Sequence, residues 1–285
     1  MTATQEPRVR VLTLNLHCWQ ESDAEAKLLR IADAIAEFAP DIVCLQEVGQ
    51  HGEAPIVGMH SGETIRADNA ALLIVEHLER GHSLAYDWAW TFAHMGFGEW
   101  EEGLAILTRG ALTRIDAPFV SSIPSHQQWN SRRLLIAEVD LQGFGVITAA
   151  SAHFSWWDDP DEPFAPQFDR ADAALGAWPE PVVLAGDFNV RDDGPGLAHI
   201  LATGRWTDAH AQALAPEVPS GTFPGNIAGW SGAEAGRIDY VLTNGSRLRA
   251  VSARTLFDTE ATRVSDHFGL LVDFAADRSS HGPSR

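Results

Sequence analysis

Pro181-Val-Val-Leu-Ala-Gly-Asp-Phe-Asn189 is a short apolar run that ends at Gly186 and is followed by Asp187 and Asn189. Because side chains alternate along an extended chain, Asp187 and Asn189 point the same way, while Phe188 turns back toward the core. In open α/β sheets, ligands bind where buried strands end. A carboxylate and an amide two residues apart suit a hard cation such as Mg²⁺ or an attacking water. The alternative is an ordinary strand exit in which Asp and Asn form a turn.

Two earlier strands also end in oxygen-bearing side chains. Residues 8–17 end with Asn15 near the last position, and residues 41–47 end on Glu47. Between them, the apolar positions of residues 27–38 recur at helical spacing. A strand, helix and strand whose two strands present oxygen ligands at their C-terminal ends predict a site at that edge of a sheet.

The other periodic segments predict the remaining elements of an α/β protein. The expected strands are residues 103–109, 132–139, 144–151, 237–242 and 265–274, and the expected helices are residues 69–80 and 194–202. The second and third of these strands should pair as a hairpin across Gln142-Gly143, and Asp68 should cap the helix that follows it. No linker divides the chain, so we predict one domain, residues 1–275, and a flexible C-terminal tail, residues 276–285.

Two further segments give less direct expectations. Residues 49–68 are rich in Gly and His and have no periodicity, which predicts a mobile surface loop. Tyr86, Trp88, Trp90 and Phe92 form an aromatic stripe at a period of two residues, which predicts packing between two sheets.

Composition narrows the class of protein. The 285 residues are 45% hydrophobic, and the N-terminus has no signal-peptide pattern, so a cytoplasmic protein without a membrane span is expected. The formal net charge is −19, whereas proteins that wrap nucleic acid carry basic surfaces. This balance disfavours long nucleic acid and membrane partners without excluding a local basic cleft. No obligate protein partner is evident.

Seven short motifs carry a resemblance, and their conjunction is specific although each alone is weak. In chain order they are Leu14-Asn-Leu-His17, Leu45-Gln-Glu47, Glu102-Gly-Leu-Ala-Ile-Leu-Thr-Arg109, Ala152-His153, Gly186-Asp-Phe-Asn189, Arg237-Ile-Asp-Tyr240 and Ser265-Asp-His267. Over residues 8–275 the chain resembles the endonuclease/exonuclease/phosphatase family, the DNase I-like superfamily. The resemblance implies an α/β fold, a four-layer α-β-β-α sandwich of two packed mixed sheets, and a divalent-metal-dependent phosphoesterase.

The resemblance also implies a role for each matching residue in metal binding. Glu47 is similar to the principal metal carboxylate of the family, with Asn15 beside it. Asp266 completes the oxygen shell, to which Asp187 and Asn189 could contribute. Mg²⁺ is the expected cofactor, with Mn²⁺ as the alternative.

The catalytic residues follow from the same matching motifs. His267 resembles the catalytic histidine, Asp239 the carboxylate that orients it, and His153 a second histidine facing the phosphate. Asp187, held together with Asn189, is the expected base for water. Attack on phosphorus builds charge on oxygen atoms, which a divalent cation and imidazolium donors stabilise.

The substrate must be inferred from the variable segments, and residues 153–170 are the most unusual of them. Adjacent Trp156 and Trp157 follow a site histidine, so at least one is expected near the mouth as a stacking platform. Such a loop resembles one in a bacterial subgroup of sugar-phosphate phosphatases. Alternatively, both rings wedge the loop onto the domain.

The residues are compatible with three functions. The first is a phosphatase for a small phosphorylated sugar, which the acidic charge and the Trp-Trp pair favour. The second is a nuclease or another phosphodiesterase, which the breadth of the family favours. The third is a binding module that has lost catalysis, which is disfavoured because no site position is visibly substituted. A closed pocket with Trp walls would support the first, and an open basic groove the second.

Overall fold

The computed structural model describes residues 8–213, 215–216, 221–245 and 247–276. The strands are β1 Arg8–Asn15, β2 Ile42–His51, β3 Ile56–His60, β4 Glu63–Arg66, β5 Asp87–Gly96, β6 Trp100–Thr108, β7 Ala111–Asp116, β8 Leu134–Leu141, β9 Gly145–His153, β10 Val182–Asp187, β11 Thr207–Asp208, β12 Ala215–Pro216, β13 Phe223–Gly225, β14 Glu234–Gly236, β15 Asp239–Asn244, β16 Leu248–Leu256 and β17 Gly269–Ala276. The helices are α1 Ala24–Phe38, α2 Ala70–His82, α3 Phe164–Leu175, α4 Pro195–Ala202 and α5 Ala209–Gln212.

Two mixed sheets form the centre of the structure. The first has the strand order β12-β16-β17-β1-β2-β6-β5, and the second has the order β11-β15-β10-β9-β8-β7. β1 pairs with β2 in parallel, as β9 does with β10, whereas β17 and β15 run antiparallel to β1 and β10. The expected hairpin of β8 and β9 is confirmed.

The apolar residues divide into three clusters that define the layers. The cluster between the sheets includes Val11 and Ile106 from the first sheet and Val183 from the second. A second cluster joins the outer face of the first sheet to α1 and α2, and a third joins the outer face of the second sheet to α3 and α4. The expected four-layer α-β-β-α sandwich is therefore confirmed.

Gly186 allows β10 to lie close to its parallel neighbour β9. Its φ is 152°, and a Cβ at this position would stand 1.9 Å from the carbonyl oxygen of Ala152. Since that oxygen belongs to the backbone of a buried strand, it cannot move aside without disturbing the sheet. The glycine is thus a condition for placing Asp187 beside His153, its register partner.

A side chain at Gly186 should therefore destabilise the fold. We expect Gly186→Ala to lower the free energy of unfolding by about 3 kcal/mol, because overpacking a buried strand forces the backbone to shift. Urea denaturation followed by circular dichroism measures this change. The matched control is Gly58→Ala on exposed β3, where nothing lies within 4 Å of the added Cβ. Equal midpoints for the two variants would contradict the prediction.

The prediction of a mobile loop over residues 49–68 is wrong. β2 continues to His51, and β3 and β4 form a hairpin. The side chain of buried Gln50 accepts hydrogen bonds from the backbone N–H of Arg66 at 3.0 Å and from Nδ2 of Asn69 at 2.9 Å. Arg66 also pairs with Glu101 of β6 at 3.0 Å. The partners Asn69 and Glu101 lie outside the segment, and Gln50 and Arg66 lie far apart within it, so its local sequence does not reveal these bonds.

The predicted cap of α2 is displaced by one residue. Asn69 is the N-cap, and its Oδ1 accepts a hydrogen bond from the backbone N–H of Leu72 at 3.1 Å. Asp68 instead accepts a hydrogen bond from the backbone N–H of His51 at 3.0 Å. Asn and Asp are nearly equal as caps, and the competing contact to β2 decides between them.

The aromatic stripe lies on the opposite face of its sheet from the predicted one. Tyr86 and Trp90 belong to the cluster under α1 and α2, and Trp88 and Phe92 pack against its edge, whereas Ala89 faces the other sheet. Nε1 of Trp90 donates a hydrogen bond to the carbonyl of Val48 at 2.9 Å. Periodicity shows that one face is apolar, but it does not show which layer covers that face.

The predicted segment 153–170 is shorter as a loop than expected, because α3 begins at Phe164. The sequence-based prediction did not include helix α3. Its Pro166 would break the interior of a helix, but this proline lies in the first turn, where it is tolerated.

Residue 276, assigned to the predicted tail, is the last residue of β17, and residues 277–285 lie outside the described part of the chain. The single-domain assignment stays a prediction. No helix among the described residues has the length and apolar character to cross a membrane.

Candidate active site

Most of the polar residues singled out in the sequence lie together at one edge of the sandwich. The parallel strands β1, β2, β9 and β10 reach this edge with their C-terminal ends. β15 and β17 run the opposite way, so their N-terminal ends arrive at the same place. The residues at this edge are Asn15, Glu47, His153, Asp187, Asn189, Asp239, Asp266 and His267. This explains why some site residues follow a strand and others precede one.

Asn15 joins the two halves of the site. Its Nδ2 donates to Oε1 of Glu47 at 2.9 Å and to Oδ2 of Asp187 at 3.1 Å, and its Oδ1 accepts from the backbone N–H of His17 at 3.0 Å. Glu47 belongs to the first sheet and Asp187 to the second. A buried amide with both ends hydrogen-bonded therefore fixes the distance between carboxylates from different sheets.

Glu47 sits on a strained part of β2. The register with β6 shifts between Leu45 and Val48, and Glu47 has a positive φ of 51°. Such a bulge turns a side chain away from the direction that the pleat would give it. Burial and the charge of Glu102 raise the pKa of Glu47 to about 7. A bound cation would relieve this unfavourable charge.

Asp187 and Asn189 form a compact unit after β10. The backbone N–H of Asn189 donates to Oδ1 of Asp187 at 2.9 Å, and Nδ2 of Asn189 donates to the carbonyl of Phe154 at 3.0 Å. Oδ1 of Asn189 accepts from Nε1 of Trp230 at 3.0 Å. Asn189 has a positive φ of 50°, which Asn tolerates better than most residues. Burial raises the pKa of Asp187 to about 7.

His267 and Asp239 form a buried pair. Nδ1 of His267 lies 3.1 Å and 3.2 Å from the two carboxylate oxygens of Asp239, and its Nε2 lies 3.7 Å from Oδ2 of Asp187. Burial lowers the pKa of His267, but the negative charges of Asp239 and Asp187 outweigh it and raise that pKa to about 10. The imidazole is therefore protonated at neutral pH and presents a donor beside Asp187.

His153 has the opposite protonation preference. Its Nε2 lies 3.5 Å from Oδ2 of Asp187 and 3.2 Å from Nδ2 of Asn189. Burial, assisted by the positive charge of Arg132, lowers the pKa of His153 well below its ordinary value. The site therefore pairs a charged and a neutral imidazole around one carboxylate.

Arg132 is a site residue that the sequence reasoning missed. It is 4% exposed and lines the cavity at this edge, yet its guanidinium has no hydrogen bond or ion pair with any described residue. Its neighbour Arg133 instead pairs with Glu63 at 3.2 Å and donates to the carbonyl of Ala117 at 2.8 Å. The available signal was two arginines at the start of an otherwise apolar strand. A buried, unpaired guanidinium needs an anion.

The sequence reasoning also missed the pair of His94 and Glu102, which lies beside Arg132. Nε2 of His94 is 3.1 Å from Oε1 of Glu102, and Nδ1 of His94 is 3.1 Å from the carbonyl oxygen of Ser131. Burial raises the pKa of Glu102, but the hydrogen bond and charge of His94 outweigh it and lower that pKa. Glu102 begins one of the seven family motifs, but nothing in the sequence connects it to His94.

The site opens into a cavity of about 430 Å³. Its walls carry Trp156, Trp129, Phe97 and Gly229. Its polar end is lined by Glu47, His153, Asp187, Asn189, Asp266 and His267. The structure brings Trp156 but not Trp157 to the cavity. Trp157 packs instead on Phe164 and His199, with ring centroids 6.2 Å and 6.0 Å apart, as the wedge alternative supposed. Trp129, from the preceding segment, takes its place beside Trp156 at a centroid distance of 6.3 Å.

The residues at this edge fit a hard divalent cation. Asn15, Glu47 and Asp266 offer only oxygen ligands, the type that Mg²⁺ and Mn²⁺ prefer. Asp187, Asp239 and His267 form an adjacent buried cluster in which one ligand atom of each lies within 4.8 Å of the others. In that cluster, Asp239 faces the histidine, so the oxygen-only group is the better candidate metal site.

Solved structures share this fold. An endonuclease/exonuclease/phosphatase family protein from Leptotrichia buccalis C-1013-b is 26% identical, with a TM-score of 0.83 over 93% of this chain and 99% of that chain. A mannosyl-6-phosphatase from Bacteroides thetaiotaomicron VPI-5482 is 16% identical, with a TM-score of 0.66 over 94% and 99% of the two chains. Truncated Caenorhabditis elegans TDP2 is 18% identical, with a TM-score of 0.62 over 94% and 98%. The last two likenesses show the fold alone.

The sequence itself identifies the family. The curated proteins compared with this sequence include no match. The model of the Endonuclease/Exonuclease/phosphatase family matches residues 12–267, which span every motif residue from Asn15 to His267. The chain is therefore a member of the endonuclease/exonuclease/phosphatase family, whose enzymes hydrolyse phosphoesters and usually use divalent metals.

Proposed function

We propose that the protein is a divalent-metal-dependent phosphatase that hydrolyses a small phosphorylated sugar. The observation that carries this proposal is the cavity, which joins an anion-binding polar end to aromatic walls. Its volume of about 430 Å³ lies within the range of small-molecule sites. Arg132 is the only Arg or Lys among the described residues that line it, so the cavity is no basic groove for a polyanion.

In the proposed reaction, water attacks phosphorus in line, the P–O bond to the sugar breaks, and the sugar leaves as an alcohol whose oxygen takes up a proton from solvent. Asp187 accepts the proton of the attacking water, and its pKa of about 7 suits this role. Asn189 holds the Asp187 carboxylate through the backbone hydrogen bond to Oδ1. The protonated Nε2 of His267 donates to a phosphoryl oxygen as negative charge develops, and Asp239 holds that imidazole in position. Arg132 binds the remaining phosphoryl oxygens with the donors that no described residue occupies.

Asn15, Glu47 and Asp266 are the residues that would hold the cation. When bound, Mg²⁺ or Mn²⁺ supplies positive charge that polarises the phosphoryl group toward attack. Their oxygen-only chemistry and the raised pKa of Glu47 support this assignment.

Three features favour the sugar phosphate over nucleic acid. The protein has a formal net charge of −19, the cavity contains one unpaired cation, and two tryptophans stand where a sugar ring would extend. Aromatic rings provide apolar faces for stacking on such a group. The fold itself does not identify the substrate, because differently named proteins, a mannosyl-6-phosphatase and TDP2, share it.

A paired assay tests the proposal. Phosphate release should be measured over a panel of phosphorylated sugars and nucleotides with Mg²⁺ or Mn²⁺, next to plasmid nicking by the same sample. We expect release from a sugar phosphate and weak or no nicking. The affinity of a nuclease for DNA would fall steeply between low and physiological salt, because the release of counterions from DNA becomes less favourable. Robust nicking that His267→Ala abolishes would reverse the choice of substrate.

The cavity tryptophans should affect sugar phosphates selectively. We expect Trp156→Ala and Trp129→Ala each to lower kcat/KM for the sugar phosphate about tenfold to a hundredfold, since lost stacking costs roughly 1–3 kcal/mol. Hydrolysis of a minimal aryl phosphate, which does not reach these rings, should barely change. Trp157→Phe is the matched control, because Trp157 packs on Phe164 outside the cavity. Equal losses on both substrates would indicate damage to the fold instead of lost stacking.

The metal-free protein should lose stability as the pH rises. Burial raises the pKa of Glu47 and Asp187 to about 7 from ordinary values of 4.5 and 3.8. Between these values the folded state holds more protons than the unfolded chain, so stability falls with increasing pH in that window. A bound cation offsets this loss of stability, and it binds better when the carboxylates are deprotonated. The rise in Tm on adding Mg²⁺ should therefore grow from about pH 5 to about pH 8. Scanning fluorimetry with EDTA or Mg²⁺ measures this, and a pH-independent rise would contradict it.

A further inference from the structure

A group of metal-ligating side chains lies in the helical layer of the first sheet. Asp33 is in the middle of α1, and His77 and His82 are in the last turns of α2. None of the three lines the active-site cavity. Ile35 of α1 and Ile74 of α2 belong to one apolar cluster, so the three side chains stand on helices that are packed together.

The imidazoles of His77 and His82 both approach one carboxylate oxygen of Asp33. Nε2 of His77 lies 3.0 Å and Nε2 of His82 lies 2.8 Å from Oδ1 of Asp33. The imidazole centroids are 5.5 Å apart, and the three ligand atoms all lie within 4.8 Å of one another. In a tetrahedral Zn²⁺ site with metal–ligand distances of about 2.0–2.1 Å, ligand atoms stand about 3.3 Å apart. The two nitrogen–oxygen separations need only a small opening to reach that value.

We propose that Asp33, His77 and His82 form a Zn²⁺-binding site that links α1 to α2. Two imidazole nitrogens and a carboxylate suit a borderline ion such as Zn²⁺, whereas Mg²⁺ prefers oxygen ligands alone. Side-chain exposures of 56% for Asp33, 29% for His77 and 32% for His82 leave access for a water as the fourth ligand. The site therefore differs in chemistry from the oxygen-rich active site.

The protein contains a simpler pair that serves as an internal control. Nε2 of His199 lies 2.8 Å from Oδ1 of Asp169, with side-chain exposures of 32% and 60%. This pair has the same contact and similar exposure but only one histidine. Exposed ion pairs contribute about 0–1 kcal/mol, so both groups matter little as ion pairs. The second imidazole is what turns the Asp33 group into a set of metal ligands.

Calorimetric titration of the full chain with Zn²⁺ tests the site. The titration is done in excess Mg²⁺, which competes for the oxygen-rich active site. We expect wild type to bind one equivalent of Zn²⁺ at this site. His77→Ala, His82→Ala and Asp33→Asn should each weaken that binding at least about tenfold, because even an outer-shell contact is worth about ten- to a hundredfold in metal affinity. His199→Ala should leave it unchanged.

Two further measurements separate the site from a folding effect and from the active site. Zn²⁺ should raise the Tm of wild type and of His199→Ala but not of His82→Ala, since a ligand of the native state stabilises it. Co²⁺ should give the intense visible absorption of a tetrahedral complex in wild type, and His82→Ala should lose it. All these variants should keep their Mg²⁺-supported hydrolysis. No Zn²⁺ binding by wild type, or equal binding by wild type and the three ligand variants, would overturn the proposal.

Discussion

His267→Ala and Asp239→Asn should each reduce kcat by roughly a thousandfold or more, the range seen when a catalytic imidazole loses its role or its orienting carboxylate. In the structure, both oxygens of Asp239 lie within hydrogen-bond distance of Nδ1 of His267. Asp239→Asn keeps the shape but removes the charge that holds the imidazole protonated. The double variant should be little worse than His267→Ala alone, because groups that act as a unit are not additive.

Steady-state kinetics of the four proteins in saturating metal measure this coupling. His199→Ala is the control, because its pair with Asp169 is exposed and outside the cavity. Circular dichroism should show that every variant is folded. Losses that multiply in the double variant would show that Asp239 and His267 act independently, and an active His267→Ala would remove the imidazole from the mechanism.

Glu47→Gln should lower both metal affinity and turnover by orders of magnitude while the fold survives, because it removes one charge from a site that would neutralise a divalent cation. The side chain keeps its size, so Asn15 can still contact it, although at 2.9 Å it now donates to an amide oxygen instead of a carboxylate. Mg²⁺ should raise the Tm of wild type and should fail to raise that of Glu47→Gln at the same concentration.

Titration of activity against Mg²⁺ and Mn²⁺ measures the affinity, and EDTA-treated wild type measures the dependence on metal. Glu138→Gln, which removes the carboxylate of an exposed pair with Arg114, is the charge-matched control and should behave as wild type. Undiminished hydrolysis in EDTA would contradict the metal requirement. Normal metal affinity in Glu47→Gln would instead assign the cation to other oxygens.

Both predictions concern residues near Asn15, whose side chain forms hydrogen bonds with both sheets. Asn15 contacts Glu47 within the first sheet and Asp187 in the second, and the hydroxyl of Ser265, in the segment before β17, donates to the carbonyl of Asn15 at 2.7 Å. Glu47, assigned to the metal, and Asp187, assigned to the attacking water, are therefore held by the same buried amide. Changes at Asn15 should disturb both, which distinguishes it from residues that serve only one.

Local patterns in the sequence were enough to predict the central strands and most of the polar residues at their ends. Alternating or continuous apolar runs, each closed by Gly or a polar side chain, predicted β1, β2, β9 and β10 and placed Asn15, His153 and Asp187 at strand ends. Glu47, also predicted as a strand end, lies instead at a bulge within β2, which continues to His51. This works because the period of a strand and the side of a sheet edge are local properties of the chain. The family motifs extended the same reasoning to Asp239 and His267, whose strands enter the site from the opposite direction.

Which side chains have partners, and which layer covers each face, depends on long-range packing. Arg132 and Arg133 are adjacent and identical, yet Glu63 from a distant hairpin pairs with one and leaves the other to the cavity. Trp156 and Trp157 are likewise adjacent, but Trp157 packs on Phe164 of α3, whereas Trp156 lines the cavity beside Trp129 from another segment. Such outcomes depend on contacts between residues far apart in sequence, and those contacts exist only after the sheets and helices have packed.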